Sequence, residues 1–105
     1  MDRADLQDRA TEVSALLKSL ANPNRLMIVC RLVEGEYSVA QLEDDLGIQQ
    51  PTLSQQLTAL RLGGIVETRR QSKHIFYRLS EARAARLVEA LHAIFCTEDK
   101  GSPAR

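Results

Sequence analysis

Four side chains in this chain of 105 residues could bind a soft or borderline metal ion, or react with an oxidant. They are Cys30, His74, His92 and Cys96. His92 and Cys96 are four residues apart, so on a helix they would share one face and could form half of a metal site. The chain has no C-x-x-C motif and no second close pair of ligands, and this pattern therefore favours an ordinary histidine over a metal ligand.

The two cysteines leave two interpretations open, a reactive dithiol or a pair of small core residues. The cellular compartment bears on the role of the cysteines, because it determines whether a disulfide persists. The longest apolar run, Leu26 to Cys30, is far shorter than the ~18 residues of a membrane span, and the charged start MDRADLQDRA does not resemble a signal peptide. We expect a cytoplasmic protein with no membrane partner. A permanent structural disulfide is not expected in that reducing compartment.

A second kind of chemistry is suggested by residues 38–62, which we predict to form two helices joined by a tight turn. Ser38 and Gln41 have the spacing of a capping box, so a helix should start at Ser38. Gly47 is the residue type at which a helix often ends, and Pro51 suits the first turn of the next helix. This is the order of elements in a helix-turn-helix.

The second of these helices has a polar outer face. Leu53, Leu57 and Leu60 form one narrow apolar stripe. The other positions are polar and contain no acid: Thr52, Ser54, Gln55, Gln56 and Thr58. Such a face suits base edges, since Gln can bridge adenine and Ser or Thr can contact several bases. We expect Thr52, Ser54, Gln55 and Gln56 to face bases; the alternative is an ordinary solvated helix in a small bundle.

Charge is distributed unevenly along a chain whose net charge is zero. Residues 61–86 contain seven Lys or Arg and two acids, whereas residues 34–45 contain five acids and no Lys or Arg. A basic segment directly after a candidate reading helix is typical of proteins that contact DNA phosphates.

Residues 65–79 change to the alternating pattern of strands and are predicted to form a hairpin, or wing. The polar stretch 70–73 would be its tip. We expect Arg69, Arg70 and Lys73 to hold phosphates or to enter the minor groove of adjacent DNA.

The two terminal segments carry apolar stripes at helical spacing. Residues 5–20 and residues 80–96 are predicted to be helices, the latter capped by Ser80, and Asn22 and Pro23 to begin another helix. In so small a chain these stripes are most simply buried in a homodimer. The polar residues 97–105 are predicted to be a loose tail. The fold class is therefore a single, mainly α domain with a β-hairpin wing, in the order α-α-α-α-β-β-α.

Four segments in this order resemble the ArsR family of winged-helix repressors: ANPNRL at 21–26, QPTLSQQL at 50–57, LRLGGIV at 60–66 and YRL at 77–79. The resemblance covers nearly the whole chain. It implies a homodimer that binds double-stranded operator DNA and leaves it when an inducer binds. It also implies that the second helix of residues 38–62 is the recognition helix, in which the family often has His where this chain has Gln56.

Members of this family are best known as metal sensors, but this chain lacks their usual ligands. The helix that begins at Ser38 has no cysteine pair, and the last helix lacks the paired Asp/His and His/Glu positions of zinc-type members. The placement of Cys30 and Cys96 instead resembles the BigR- and SqrR-like branch, which responds to sulfide and persulfide.

That resemblance implies that Cys30 and Cys96 form a redox-sensing dithiol and that reactive sulfur species are the inducer. No cofactor and no resident metal are expected. The alternative is a metal-responsive repressor that uses Cys30, His92 and Cys96.

Two other classes are conceivable, a thiol peroxidase or sulfurtransferase in which Cys96 turns over, and a winged helix that docks onto a protein. No further chemistry surrounds the thiols in the sequence, so we expect no enzyme.

Overall fold

The described part of the chain folds into five helices and a three-stranded antiparallel sheet. The structure is a computed structural model that describes the backbone of residues 1–101 and the side chains of residues 1–95. Its elements are α1 (Arg3–Leu20), α2 (Pro23–Leu32), β1 (Tyr37–Ser38), α3 (Val39–Leu46), α4 (Thr52–Leu62), β2 (Val66–Gln71), β3 (His74–Leu79) and α5 (Ala82–Gly101). Apart from β1, this is the predicted order of elements.

The first two helices begin at side-chain caps. Asp2 Oδ1 accepts a hydrogen bond from the Asp5 N–H of α1 at 2.9 Å. Asn22 caps α2 in the same way, and Pro23 is its first residue, as predicted. Proline suits this position because the N–H that it lacks would have no partner within the helix.

The capping box at the start of α3 is confirmed. The Ser38 hydroxyl accepts from the Gln41 N–H at 3.2 Å, and the Gln41 side chain accepts from the Ser38 N–H at 2.8 Å. Gly47 ends α3 in the left-handed conformation, with φ of 70°, and Ile48 is buried in the turn that follows. Both features agree with the predicted helix-turn-helix.

The start of α4 differs by one residue from the prediction. Pro51 precedes the first helical residue, Thr52, instead of opening the helix. The cap comes from Gln50, whose Oε1 accepts from the Ser54 N–H at 3.0 Å. Because glutamine is not a usual capping residue, the sequence favoured a proline start.

The sheet has the strand order β1-β3-β2, and β1 was not predicted. Tyr37 and Ser38 pair with Tyr77 and Phe76 of β3. A strand of two residues has no periodicity to detect, and its pairing depends on the distant β3.

The first strand of the wing extends two residues further toward the tip than predicted, and the tip is shorter. Gln71 pairs with His74, which reduces the turn from residues 70–73 to Ser72 and Lys73. Strand pairing uses backbone groups, so the polar side chains of 70 and 71 did not prevent it. The predicted first strand residue, Ile65, is instead a buried joint whose N–H donates to the Leu60 carbonyl at 3.0 Å.

The last helix corrects two boundaries. It begins at Ala82, where the Glu81 carboxylate accepts from the Arg83 N–H at 2.9 Å, and the Ser80 hydroxyl donates instead to the Gly64 carbonyl at 3.1 Å. It continues to Gly101, so residues 97–101 are helical and not a loose tail. Each residue added to a helix gains a hydrogen bond, and no proline lies between Ala82 and Pro103 to interrupt this helix. Residues 102–105 lie outside the described part of the chain.

The core is apolar and centred on α2, α3 and α4. Leu53, Leu57 and Leu60 are buried, which confirms the predicted stripe of α4. The remaining core residues are Leu20, Ile28, Val29, Leu32, Leu42, Ile48, Ile65, Val66, Ala84 and Val88.

The terminal helices leave apolar side chains uncovered. In α1, Leu6, Val13 and Leu17 are exposed. In α5, Ile94 and Phe95 are 54% and 62% exposed. Over the described residues, none of the helices has the length and apolar character that crossing a membrane requires.

Candidate nucleic-acid interface and thiol groove

The outer face of α4 is held by its buried stripe. Leu53 and Leu57 anchor the helix in the core, which leaves Ser54 and Gln55 exposed to solvent. Thr52 is half-buried near the start of the helix. A polar helix face on a rigid base is the arrangement that reads the major groove.

Gln56 differs from its neighbours on this face because its side chain already has a partner. It is half-buried, and its Oε1 accepts a hydrogen bond from Arg25 Nη1 at 2.8 Å. Arg25 lies in α2, thirty-one residues earlier. The amide oxygen of Gln56 is therefore directed toward the protein.

Adjacent arginines of the wing point to opposite faces of the sheet. Arg69 pairs across the ladder with Phe76, and Arg70 pairs with Ile75. Side chains alternate along a strand, so Arg69 and Arg70 cannot lie on the same side of the hairpin. They therefore cannot hold one phosphate together.

Arg69 is engaged by an acidic residue that precedes β1. Its Nε and Nη2 donate to the Glu36 carboxylate at 2.8 to 3.2 Å, and its guanidinium lies 4.9 Å from the centre of the Phe76 ring. These hydrogen bonds from Arg69 hold the pKa of the Glu36 carboxyl below its ordinary value. The ion pair joins the wing to the segment before α3.

The basic segment 61–86 is only partly neutralised by ion pairs. Arg69 pairs with Glu36, Arg78 with Glu67, and Arg83 with Glu81 and Glu12. The other four bases have no ion pair within the part of the chain whose side chains are described: Arg61, Arg70, Lys73 and Arg86. The charge available to phosphates is therefore concentrated at the end of α4, in the wing and in α5.

The sulfur chemistry belongs to a different part of the molecule. Cys30 is exposed on α2, so the interpretation of this residue as a core cysteine is wrong. It lines a groove of about 330 Å³ together with Val33, Glu34, Glu89 and His92. Cys30 and His92 also line an adjoining groove of about 340 Å³ with Met27 and other residues of α2. The structure thus brings together two of the four candidate ligands.

The other two candidates are His74 and Cys96. His74 lies at the wing tip, opposite Gln71. Cys96 belongs to the backbone of α5, and its side chain lies outside the described residues. Among the side chains of residues 1–95, no cluster of three His, Cys, Asp or Glu could hold a metal ion.

Three residues of these sites were missed in the sequence. Arg25, Glu36 and Gln50 bind Gln56, Arg69 and the start of α4, respectively. Arg25 and Glu36 reach partners more than thirty residues away, and no local pattern marks such pairs. Gln50 lies next to α4, but its residue type did not indicate a cap.

A polar recognition helix seated on a small core, followed by a basic two-stranded wing, defines a winged helix-turn-helix DNA-binding protein. A family model described as "Bacterial regulatory protein, arsR family" matches residues 22–68. The biofilm growth-associated repressor of Xylella fastidiosa is 64% identical over 100 residues, which covers 95% of this chain and 88% of that protein. The chain belongs to the ArsR family of bacterial regulatory proteins, as its sequence predicted.

Solved structures agree with this assignment. The crystal structure of the transcriptional repressor BigR from Xylella fastidiosa has a TM-score of 0.85 and 64% identity, covering 91% of this chain and 98% of that one. A homodimeric winged helix-turn-helix DNA-binding domain from Mycobacterium bovis has a TM-score of 0.73 and 32% identity, covering 100% and 95% of the two chains. The chain is a DNA-binding regulator of the repressor type and not an enzyme.

Proposed function

We propose that this ArsR-type repressor binds operator DNA as a homodimer and is released when Cys30 and Cys96 become linked by reactive sulfur species. The observation that carries the proposal is the exposed position of Cys30 in a groove shared with His92 of α5. Cys96 follows His92 by one helical turn in the sequence. The 64% identity to BigR and the resemblance to the BigR- and SqrR-like branch also support it.

The chemistry requires only the two thiols and a sulfane-sulfur compound. One cysteine thiolate attacks the sulfane sulfur, forms an S–S bond and displaces a sulfide or thiolate leaving group. The second cysteine thiolate then attacks this product. Attack on the sulfur of the first cysteine forms a disulfide and expels hydrosulfide, whereas attack on a sulfur further along an attached polysulfide chain forms a polysulfide bridge and expels the rest of the chain as hydrosulfide or thiolate. Two electrons and two protons leave the thiol pair, and the sulfur compound is reduced to sulfide or thiol.

The packing of α2 suggests how a bridge would reach the DNA. α2 contacts α5 and also contacts α3 and α4. A covalent link between α2 and α5 would constrain the helix that supports the recognition helix. In a homodimer, even a small shift of the recognition helix in each subunit changes the distance between the two recognition helices.

The homodimer is supported by the uncovered apolar faces of α1 and α5. Leu6, Val13 and Leu17 of α1, with Ile94 and Phe95 of α5, remain exposed in the single chain. Exposed apolar side chains that repeat along one helix face, as Leu6, Val13 and Leu17 do, mark an interaction site. The related domain from Mycobacterium bovis is homodimeric. We expect the repressor to act in the cytoplasm, where operator DNA is found.

Intact-protein mass spectrometry tests the proposed chemistry. The reduced protein is exposed separately to polysulfide, hydrogen peroxide and an organic disulfide. Polysulfide should give a product in which Cys30 and Cys96 are linked either directly or through one or more added sulfur atoms, and peptide mapping should locate the link. An unchanged mass, or sulfur added to one cysteine without a link, would contradict the proposal.

The second candidate is a metal-responsive repressor that uses Cys30, His92 and Cys96. Its support is the groove that Cys30 and His92 share. Equilibrium dialysis with Zn²⁺ would then give one tightly bound ion per chain, and DNA release would require that ion. Dialysis without retained metal would exclude this candidate and leave the thiol mechanism unaffected.

A further inference from the structure

Arg25 connects three helices through one side chain. It lies near the start of α2, and its guanidinium donates to α1 and to α4. Nε donates to the Ser19 carbonyl at 2.7 Å, and Nη2 donates to the Lys18 carbonyl at 3.4 Å. Nη1 donates to Gln56 Oε1 at 2.8 Å. The side chain is half-buried, so solvent competes less for these contacts than at an open surface.

The contacts with α1 have a local physical cause. The last carbonyls of a helix have no partner within it and carry the negative end of the helix dipole. A guanidinium satisfies such carbonyls and has further N–H groups in a fixed fork. Arg25 uses those remaining donors on Gln56, the first residue of the second turn of α4.

A second contact joins the same two helices. A Cβ atom placed on Gly63, just after α4, would lie 2.9 Å from Ser19 Oγ. Glycine therefore allows the end of α1 to lie directly against the end of α4. The end of α1 thus meets α4 at two places, at Gln56 through Arg25 and at Gly63 directly.

We propose that Arg25 and Gln56 form a clamp that sets the angle of the recognition helix relative to α1, and that Gln56 is a positioning residue and not a base reader. Bidentate recognition of adenine needs both the oxygen and the nitrogen of the glutamine amide. The oxygen of Gln56 is directed to Arg25. Ser54 and Gln55, both exposed, remain as readers of the bases.

The clamp would determine the spacing of the half-sites on the operator. This consequence depends on the proposed homodimer, in which α1 belongs to the interface. If α4 is fixed relative to α1, the two recognition helices lie a fixed distance apart. Each base pair added between half-sites moves them by about 3.4 Å along the DNA, which a rigid dimer should resist.

The test measures operator affinity as a function of spacing. An operator is selected from a random-sequence library with the wild-type protein, and one base pair is then inserted or deleted at its centre. The wild type should bind the altered operators roughly 10-fold more weakly, and Arg25→Lys and Gln56→Ala should each reduce this penalty to less than about 3-fold. The double variant should reduce the spacing penalty no further than either single variant, because both substitutions break the Arg25–Gln56 hydrogen bond that joins α4 to the rest of the clamp.

Arg25→Lys keeps the positive charge and loses the fork, so a changed penalty cannot be ascribed to charge. Gln55→Ala is the matched control, an exposed amide on the same helix; it should weaken all the operators and leave the penalty unchanged. A general loss of folded protein would also lower every affinity equally, so the ratio between operators reports geometry.

Two results in the variants would overturn the clamp alone. One is a wild-type penalty retained by both Arg25→Lys and Gln56→Ala. The other is a loss of discrimination at a single base in Gln56→Ala that Arg25→Lys does not share. A wild type indifferent to spacing would overturn the clamp and the homodimer together. Release of the wild type by polysulfide is measured on the unaltered operator, so a failure of the thiol mechanism is distinguished from a failure of the clamp.

Discussion

The Arg69 guanidinium binds the Glu36 carboxylate, with a distance of 2.8 Å between Nη2 and Oε1. Arg69 is one of the three wing bases expected to contact DNA, and it is the one held by an acid of the same chain. Its neighbour Arg70 points to the opposite face of the hairpin. The wing therefore contains two kinds of arginine, one that joins the wing to the body and one available to phosphates.

This difference predicts the salt dependence of DNA binding. Arg70→Ala and Lys73→Ala should each reduce the slope of log K against log salt by about 0.9 per phosphate contact, or about twice that in a homodimer. Arg69→Ala should change the slope less, because its charge is already paired. Fluorescence anisotropy over a salt series measures the slope.

Lys18→Ala provides the control for this series, as an exposed base on α1 outside the wing. It should leave the slope unchanged. If Arg69→Ala lowers the slope as much as Arg70→Ala, then Arg69 exchanges Glu36 for phosphate on binding and the division is wrong.

A surface ion pair at the start of α5 predicts an unusual titration. Hydrogen bonds from the Arg83 side chain and backbone lower the pKa of Glu81 from 4.5 to about 2. Because the folded-state pKa is depressed, the stabilisation is complete above the ordinary pKa of 4.5 and is lost as pH falls toward about 2.

Carbon-detected NMR titration of Glu81 would measure this pKa directly. Arg83→Ala should return it toward 4.5, whereas Arg86→Ala, on the same helix, should not. A Glu81 that titrates near 4.5 in the wild type would contradict the predicted pair.

The buried side chains of the recognition helix should contribute more to the stability of the protein than its exposed ones. Leu57 is 1% exposed and Leu62, five residues later on α4, is 80% exposed. Leu57→Ala should lower the free energy of unfolding by about 2 to 5 kcal/mol through lost burial and a cavity. Leu62→Ala should change it by less than about 0.5 kcal/mol. Urea denaturation measures the free energy of unfolding of both variants. Equal losses in the two would show that the burial of Leu57 does not anchor α4.

The capping box of α3 gives a smaller and separate effect. Ser38→Ala should cost about 1 kcal/mol of unfolding free energy, since it removes the partner of the Gln41 N–H. Gln41→Ala should add little in the double variant, because the two side chains act as a unit. Strictly additive losses in thermal denaturation would mean that the reciprocal bonds are independent.

The features that the sequence predicted well are local ones. Ser38 and Gln41 contact each other, and Gly47 and the α4 leucines are marked by their residue types and spacing, so the local sequence carries the information. The family resemblance added the wing and the recognition helix as functional parts. These signals were sufficient for the fold class and for the position of the helix-turn-helix.

The features that were missed depend on contacts between distant segments. The Arg25–Gln56 and Arg69–Glu36 pairs join residues 31 and 33 positions apart, and β1 exists only because β3 lies beside it. The start of α5 was misjudged because Ser80 uses its hydroxyl on Gly64, sixteen residues earlier. In each case the partner lies far away in the sequence, and tertiary packing selected it.

The central claim is that linkage of Cys30 to Cys96 releases the repressor from DNA. Fluorescence anisotropy of a labelled operator, followed while polysulfide is added to the reduced complex, tests it most directly. The wild type should dissociate and should rebind when a dithiol reductant is added. Cys30→Ser and Cys96→Ser should bind as tightly as the reduced wild type and should stay bound. Release of Cys30→Ser at the same polysulfide concentration as the wild type would contradict the account.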